Sequence, residues 1–136
     1  MQAETGRMAV GMGAEAREIA YVALPAAGAG AKLPGLVWLG GFKSDMTGTK
    51  AMAIERFAAE TGRACLRFDY SGHGFSGGAF EDGTISRWLE ETLAVIRAKT
   101  AGRVVLIGSS MGGWLALLAA RALADGTQTL SDAYTG

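Results

Sequence analysis

A single cysteine, a single histidine, two prolines and no surplus of either charge set the first limits on this sequence. One cysteine, Cys65, cannot close an intrachain disulfide, so the fold must hold without covalent staples and suits a reducing compartment. Lys and Arg together number 13, as do Asp and Glu. A balanced chain has no general electrostatic pull toward nucleic acid or an anionic membrane surface. No run approaches the roughly 20 apolar residues that span a bilayer. The opening residues MQAETGRMAV have neither the charged start nor the long apolar run of a secretory signal. His, Cys and acidic residues do not recur at metal-ligand spacing. These absences lead to the expectation of a soluble, cytoplasmic protein with no nucleic-acid partner, no membrane span and no metal.

What is present is a globular composition, with 49% hydrophobic and 19% charged residues. At 136 residues the chain is one domain at most and can bury roughly two-thirds of its surface. Twenty-one glycines are about twice the usual share, so tight turns and close backbone approaches are expected.

Residues 1–17 are weakly patterned, with a short strand expected only at Met8–Val10. EIAYVAL (Glu18–Leu24) reads as a strand, Pro25–Pro34 as a loop and LVWL (Leu36–Leu39) as a wholly apolar strand. Thr49–Glu60 has Ala51, Ile54, Phe57 and Ala58 on one helical face, and Thr61-Gly62 ends it. ACLRF (Ala64–Phe68) is a strand that ends at Asp69. A glycine-rich loop follows over Tyr70–Gly83. Ile85–Ala98 is an amphipathic helix with Ile85, Trp88, Leu89, Leu93 and Ile96 on one face and Thr84 as N-cap. Arg103–Ile107 is a strand, Met111–Ala124 a Leu- and Ala-rich helix, and residues 125–136 a loose tail. Short apolar strands alternating with helices predict an α/β fold, a mostly parallel sheet covered by helices. Ligands of such sheets bind beyond the C-terminal strand ends. That edge collects three loops, Gly40–Thr47, Tyr70–Gly83 and Gly108–Gly113.

The last of these carries the strongest chemical signal. Strand VVLI runs into Gly108-Ser109-Ser110-Met111-Gly112 and then into a helix, which is the G-x-S-x-G nucleophile elbow in its required setting. The chain turns so sharply that Ser110 is strained, and the flanking glycines keep Cβ atoms out of the turn. Ser110 is the candidate nucleophile. The N–H of Met111, at a helix start, is one candidate oxyanion donor. The second should come from the loop after a neighbouring strand. Gly40-Gly41-Phe42 follows LVWL directly, so Gly41 and the Phe42 N–H are assigned to oxyanion and substrate binding.

LVWLGGF, the loop RFDYSGHGFSGG, the amphipathic helix and VVLIGSSMGGW occur in the order found in the α/β-hydrolase family, which this chain resembles over about Ile19–Leu123. The run GTKAMAIERFAAETGRACLRFDYSGHGFSGG is most similar to the palmitoyl-protein thioesterase and mycophenolic acid acyl-glucuronide esterase subgroup and its bacterial relatives. The resemblance implies an α/β-hydrolase N-terminal half over residues 18–124. It further implies hydrolysis of acyl esters or thioesters without a cofactor, Ser110 as nucleophile, and Phe42 and Met111 as oxyanion donors. The substrate expected is a small acyl ester or thioester, with an acylated protein as a second candidate.

The family places its triad acid and histidine after the nucleophile. Here Asp125 and Asp132 follow Ser110, but neither follows a strand, and the one histidine, His73, precedes it. The family's glycine-rich loop holds no catalytic histidine, so His73 is read as an ordinary loop residue. The expectation is an N-terminal portion of a serine hydrolase, truncated after the elbow helix, with the triad acid and histidine absent. The strand Val104–Ile107 would then be an exposed edge inviting self-association. The alternative is a catalytically inactive fragment or interaction module. A third reading, a nucleotide site at Gly72-x-Gly74-x-x-Gly77, is disfavoured because that loop does not open directly into a helix. Cys65 is read as a buried structural thiol, Asp69 as a turn cap, Ser109 as shaping the elbow, and Trp114 as a core residue.

Overall fold

The computed structural model describes residues 2–126. Five strands form one sheet: β1 (Glu4–Val10), β2 (Arg17–Leu24), β3 (Gly35–Leu39), β4 (Cys65–Phe68) and β5 (Val104–Gly108). Their spatial order is β1-β2-β4-β3-β5. β2 is antiparallel to both β1 and β4, whereas β3 is parallel to β4 and β5. Four strands therefore run one way and β2 alone runs against them, so the sheet is mixed but mostly parallel in direction.

The three helices are α1 (Thr49–Thr61), α2 (Ile85–Lys99) and α3 (Met111–Gly126). Alternation along the strands divides the core between the two sheet faces. Val37, Leu39, Leu66 and Phe68 point to the face covered by α2 and α3 and join Trp88, Val95, Ile96, Leu115 and Leu123. Leu36 and Cys65 point the other way and pack with Ala58 of α1. Thr84 caps α2 by accepting the Arg87 N–H at 3.1 Å. Gly62 ends α1 in the left-handed region at φ 72°, as the Thr61-Gly62 stop predicts. Among the described residues no helix is long and apolar enough to cross a membrane.

Several expectations are corrected. The first 17 residues are not weakly structured, because seven of them form β1 in a full hairpin with β2. Gly6 hid that strand from a propensity reading. It stands opposite Tyr21, and a Cβ at Gly6 would lie 2.6 Å from the Tyr21 hydroxyl, so the ring needs a residue without a side chain. The expected stripe of α2 does face the core, with Trp88 and Ile96 buried and Ile85, Leu89 and Leu93 packed against it, but the buried face extends to Glu91, Thr92 and Val95, because the carboxylate of Glu91 is drawn inside. Phe57 on α1 is 49% exposed and lies over Arg63 rather than in the core. The helix expected to stop at Ala124 continues through Gly126. The remainder of the expected tail, including Asp132, lies outside the described residues.

β3 and β5 are neighbours whose chains leave toward opposite faces. β3 leads to α1, and β5 leads to α3 on the other side. This is the topological switch point of the sheet, where a crevice opens beyond the C-terminal strand ends. Among the described residues β5 pairs with β3 alone.

Candidate active site

Ser110 sits at that crevice. It follows β5, precedes α3, is exposed, and has φ 58°, a left-handed conformation that costs a non-glycine residue about 1–2 kcal/mol. The glycines around it are required by contact. A Cβ on Gly108 would overlap the Gly112 carbonyl oxygen, and one on Gly112 would overlap the Leu39 carbonyl oxygen and lie 2.6 Å from that of Gly40. The elbow is thus pressed against the end of β3, whose Leu39 carbonyl accepts the Ser109 N–H at 3.2 Å.

Gly41 completes the approach. A Cβ there would lie 3.6 Å from the Ser110 Cβ and 3.4 Å from the Ser109 carbonyl oxygen, so the Gly41–Phe42 peptide lies alongside the serine. Among the described residues, the amides of Phe42 and Met111 donate to no acceptor. The structure therefore brings Ser110, Gly41, Phe42 and Met111 together, with two uncommitted N–H groups on the peptides beside an exposed hydroxyl. A cavity of about 400 Å³ opens in front of them, lined by Trp38, Phe42, Lys50, Ser109 and Ser110 among others. Lys50 Nζ donates to Ser109 Oγ at 3.1 Å.

The loop after β3 is held by three side chains of the segment that follows β4, of which Asp69 was expected as a turn cap and His73 as an ordinary loop residue. The Tyr70 hydroxyl donates to the Gly40 carbonyl at 2.9 Å. Asp69 Oδ1 accepts the Met46 N–H at 2.7 Å, and its Oδ2 accepts the Phe75 N–H at 2.9 Å. His73 Nε2 accepts the Lys43 N–H at 3.1 Å. Asp69 is 1% exposed. Burial pushes its carboxyl above the usual range, and the two amide bonds offset only part of that. The Tyr70 hydroxyl is likewise pushed up, by burial and by Glu91.

His73 is not an ordinary loop residue, since it is 4% exposed. Its Nδ1 lies 3.0 Å from the Ser71 carbonyl oxygen. A carbonyl only accepts, so Nδ1 carries the proton and Nε2 is the acceptor for Lys43. Both ring nitrogens are committed, and neither is free to take the proton of Ser110.

The other features resolve as follows. Cys65 is 2% exposed, and burial, with Glu55 nearby, pushes its thiol up to about 12, which fits a structural thiol. Trp114 is 55% exposed and not in the core. Its neighbour Leu115 faces inward instead. The Gly72–Gly77 loop closes on itself through Gly72 N–H to Gly77 O at 2.9 Å and leads to a short turn at Phe80–Asp82, so no helix N-terminus meets it.

Comparison with known proteins gives a consistent result. The alpha/beta hydrolase family profile matches residues 17–135. The mitochondrial palmitoyl-protein thioesterase of Homo sapiens is 48% identical over 89 residues, 65% of this chain and 29% of that protein. A crystal structure from Agrobacterium vitis S4, of a protein assigned as a hydrolase, superposes with a TM-score of 0.90 at 48% identity. The match covers 96% of this chain and 49% of the other. Alpha/beta hydrolase domain-containing protein 10 from mouse superposes with a TM-score of 0.78 at 34% identity, over 90% of this chain and 46% of the other. The chain thus spans under a third of the length of the curated relative and about half of the two solved structures.

Proposed function

The chain belongs to the alpha/beta hydrolase family, and on that premise we propose that it supplies the nucleophile and oxyanion hole of a serine hydrolase acting on acyl esters or thioesters. In this reading Ser110 Oγ attacks the acyl carbonyl carbon, and the N–H groups of Phe42 and Met111 receive the developing oxyanion, with Gly41 allowing the carbonyl close. The ester or thioester bond to the leaving group then breaks, and water releases the acid from Ser110. The carrying observation is the exposed Ser110 in left-handed backbone beside two amides that have no acceptor among the described residues. The proton of Ser110 needs a base, and His73, committed on both nitrogens, is not that base. The substrate class follows the relatives named as palmitoyl-protein thioesterases, so an acylated protein stands beside small acyl esters and thioesters. The buried Cys65 supports a reducing compartment, cytoplasmic in our reading, whereas the curated relatives are named as mitochondrial.

The test is a fluorophosphonate probe applied to the protein as its source cell makes it. The expected result is an adduct at Ser110, located by mass spectrometry, and loss of labelling in Ser110→Ala. No adduct, while a reference serine hydrolase in the same sample labels, favours the second reading, a non-catalytic interaction module. That reading has its own observation. One edge of β5 is unpaired among the described residues, its Val105 and Ile107 are half-buried, and Trp114 and Leu117 are exposed on α3. Such an edge favours pairing with another chain. The isolated 136-residue chain is therefore expected to self-associate at micromolar concentration, and a clean monomer by light scattering counts against it.

A further inference from the structure

We infer that His73 is a positioning residue that sets the conformation of the oxyanion loop through its neutral Nε2. The inference rests on the functional reading above. Lys43 has φ 63°, a conformation a lysine does not adopt without support. Among the described residues, the one side-chain acceptor for its N–H is His73 Nε2, at 3.1 Å. That bond fixes the Phe42–Lys43 peptide, which adjoins the peptide bearing the Phe42 N–H. The imidazole is itself fixed. Nδ1–H donates to the Ser71 carbonyl, and the rings of Phe42, Tyr70, Phe80 and Trp88 stand around it at 5.3–6.4 Å between centroids. Phe42 packs edge-on against Phe80 and Trp88 as well. An imidazole used only as core filling would not need an unprotonated nitrogen aimed at a strained backbone amide. Without that acceptor, Lys43 relaxes toward an extended conformation and the Phe42 amide turns from the serine. A displacement of about 1 Å of such a donor can cost up to about 100-fold in rate.

Two substitutions separate the acceptor from the bulk of the ring. His73→Gln places a carbonyl oxygen near the position of Nε2, whereas His73→Asn keeps a donor near Nδ1 and leaves the Lys43 N–H without an acceptor. The expected result is that His73→Asn slows fluorophosphonate labelling of Ser110 about tenfold or more, that His73→Gln stays within about threefold of the natural protein, and that the Lys43 amide is protected from hydrogen exchange in all but the Asn variant. Nitrogen-15 spectra of the natural protein should show the His73 proton on Nδ1. A proton on Nε2, unchanged labelling and exchange in His73→Asn, or equal losses in both variants would overturn the inference. If the natural protein does not label at all, the hydrolase reading falls, and the tautomer and Lys43 exchange still decide what His73 holds.

Discussion

Gly112→Ala is expected to destabilise the protein by about 3 kcal/mol or more and to abolish reaction of Ser110 with a fluorophosphonate in whatever fraction remains folded. The added methyl would overlap the Leu39 carbonyl oxygen and crowd that of Gly40 at 2.6 Å. Both obstacles are backbone at the end of β3, so no side-chain rotation relieves them, and the cost lies at or beyond the upper end of the usual 1–3 kcal/mol for overpacking. The only relief is for α3 to retreat from β3. That retreat would break the Ser109 N–H bond to Leu39 and take Ser110 from Gly41. Gly113→Ala is the control. Its Cβ would meet nothing closer than the Gly108 carbonyl oxygen at 3.7 Å, and alanine is favoured over glycine in a helix by about 1 kcal/mol. It should be neutral or stabilising and should label normally. Urea unfolding and labelling of the two variants decide the matter, and a Gly112→Ala protein that labels like the natural one would show that the contact is not what positions the serine.

That contrast marks what the sequence could convey about the site. Gly108, Gly112 and Ser110 are read from spacing because the elbow is local: a strand, a turn and a helix within ten residues set its geometry. Gly41 and Phe42 follow from the rule that ligands gather at strand ends, since β3 and β5 are adjacent in the sheet. The brace behind them was not legible. Tyr70, His73 and Asp69 act across 23 to 30 residues of chain, and nothing in their own segment says that Gly40, Lys43 and Met46 will face them. The same limit explains the fold-level corrections. β1 carries Gly6 and Arg7, which weaken any strand signal, and it forms through pairing with β2 along all of Glu4–Val10, a partner its own residues do not announce. The inward face of α2 keeps the helical period but not the hydropathy pattern at Glu91, because a charge from β2 waits beneath it.

That charge yields the second large effect. Glu91→Ala is expected to cost about 3–5 kcal/mol, the range for removing one partner of a buried ion pair. Glu91 is 0% exposed and Arg17 5%. The Glu91 carboxylate accepts Arg17 Nε at 2.8 Å with one oxygen and the Ser71 N–H at 2.7 Å with the other. Burial alone pulls the Arg17 pKa down and the bonds to Glu91 and Glu90 raise it; the guanidinium stays charged when its partner is gone because an arginine side chain does not lose its proton in a protein. Glu90 cannot substitute, because its side chain is 56% exposed and its attraction is screened by water. Glu90→Ala should accordingly cost under about 1 kcal/mol. The Ser71 N–H is orphaned at the same time, and Ser71 also carries the carbonyl that orients His73, so the loss should reach the loop after β3 as well as the core. Replacing both partners, Arg17→Met with Glu91→Leu, should recover the part of the loss that comes from the unpaired guanidinium but not the part that comes from the orphaned Ser71 N–H. Urea denaturation of the three variants measures this directly. A Glu91→Ala loss below about 1 kcal/mol would mean that water reaches Arg17 and that the α2 face is not held by this pair.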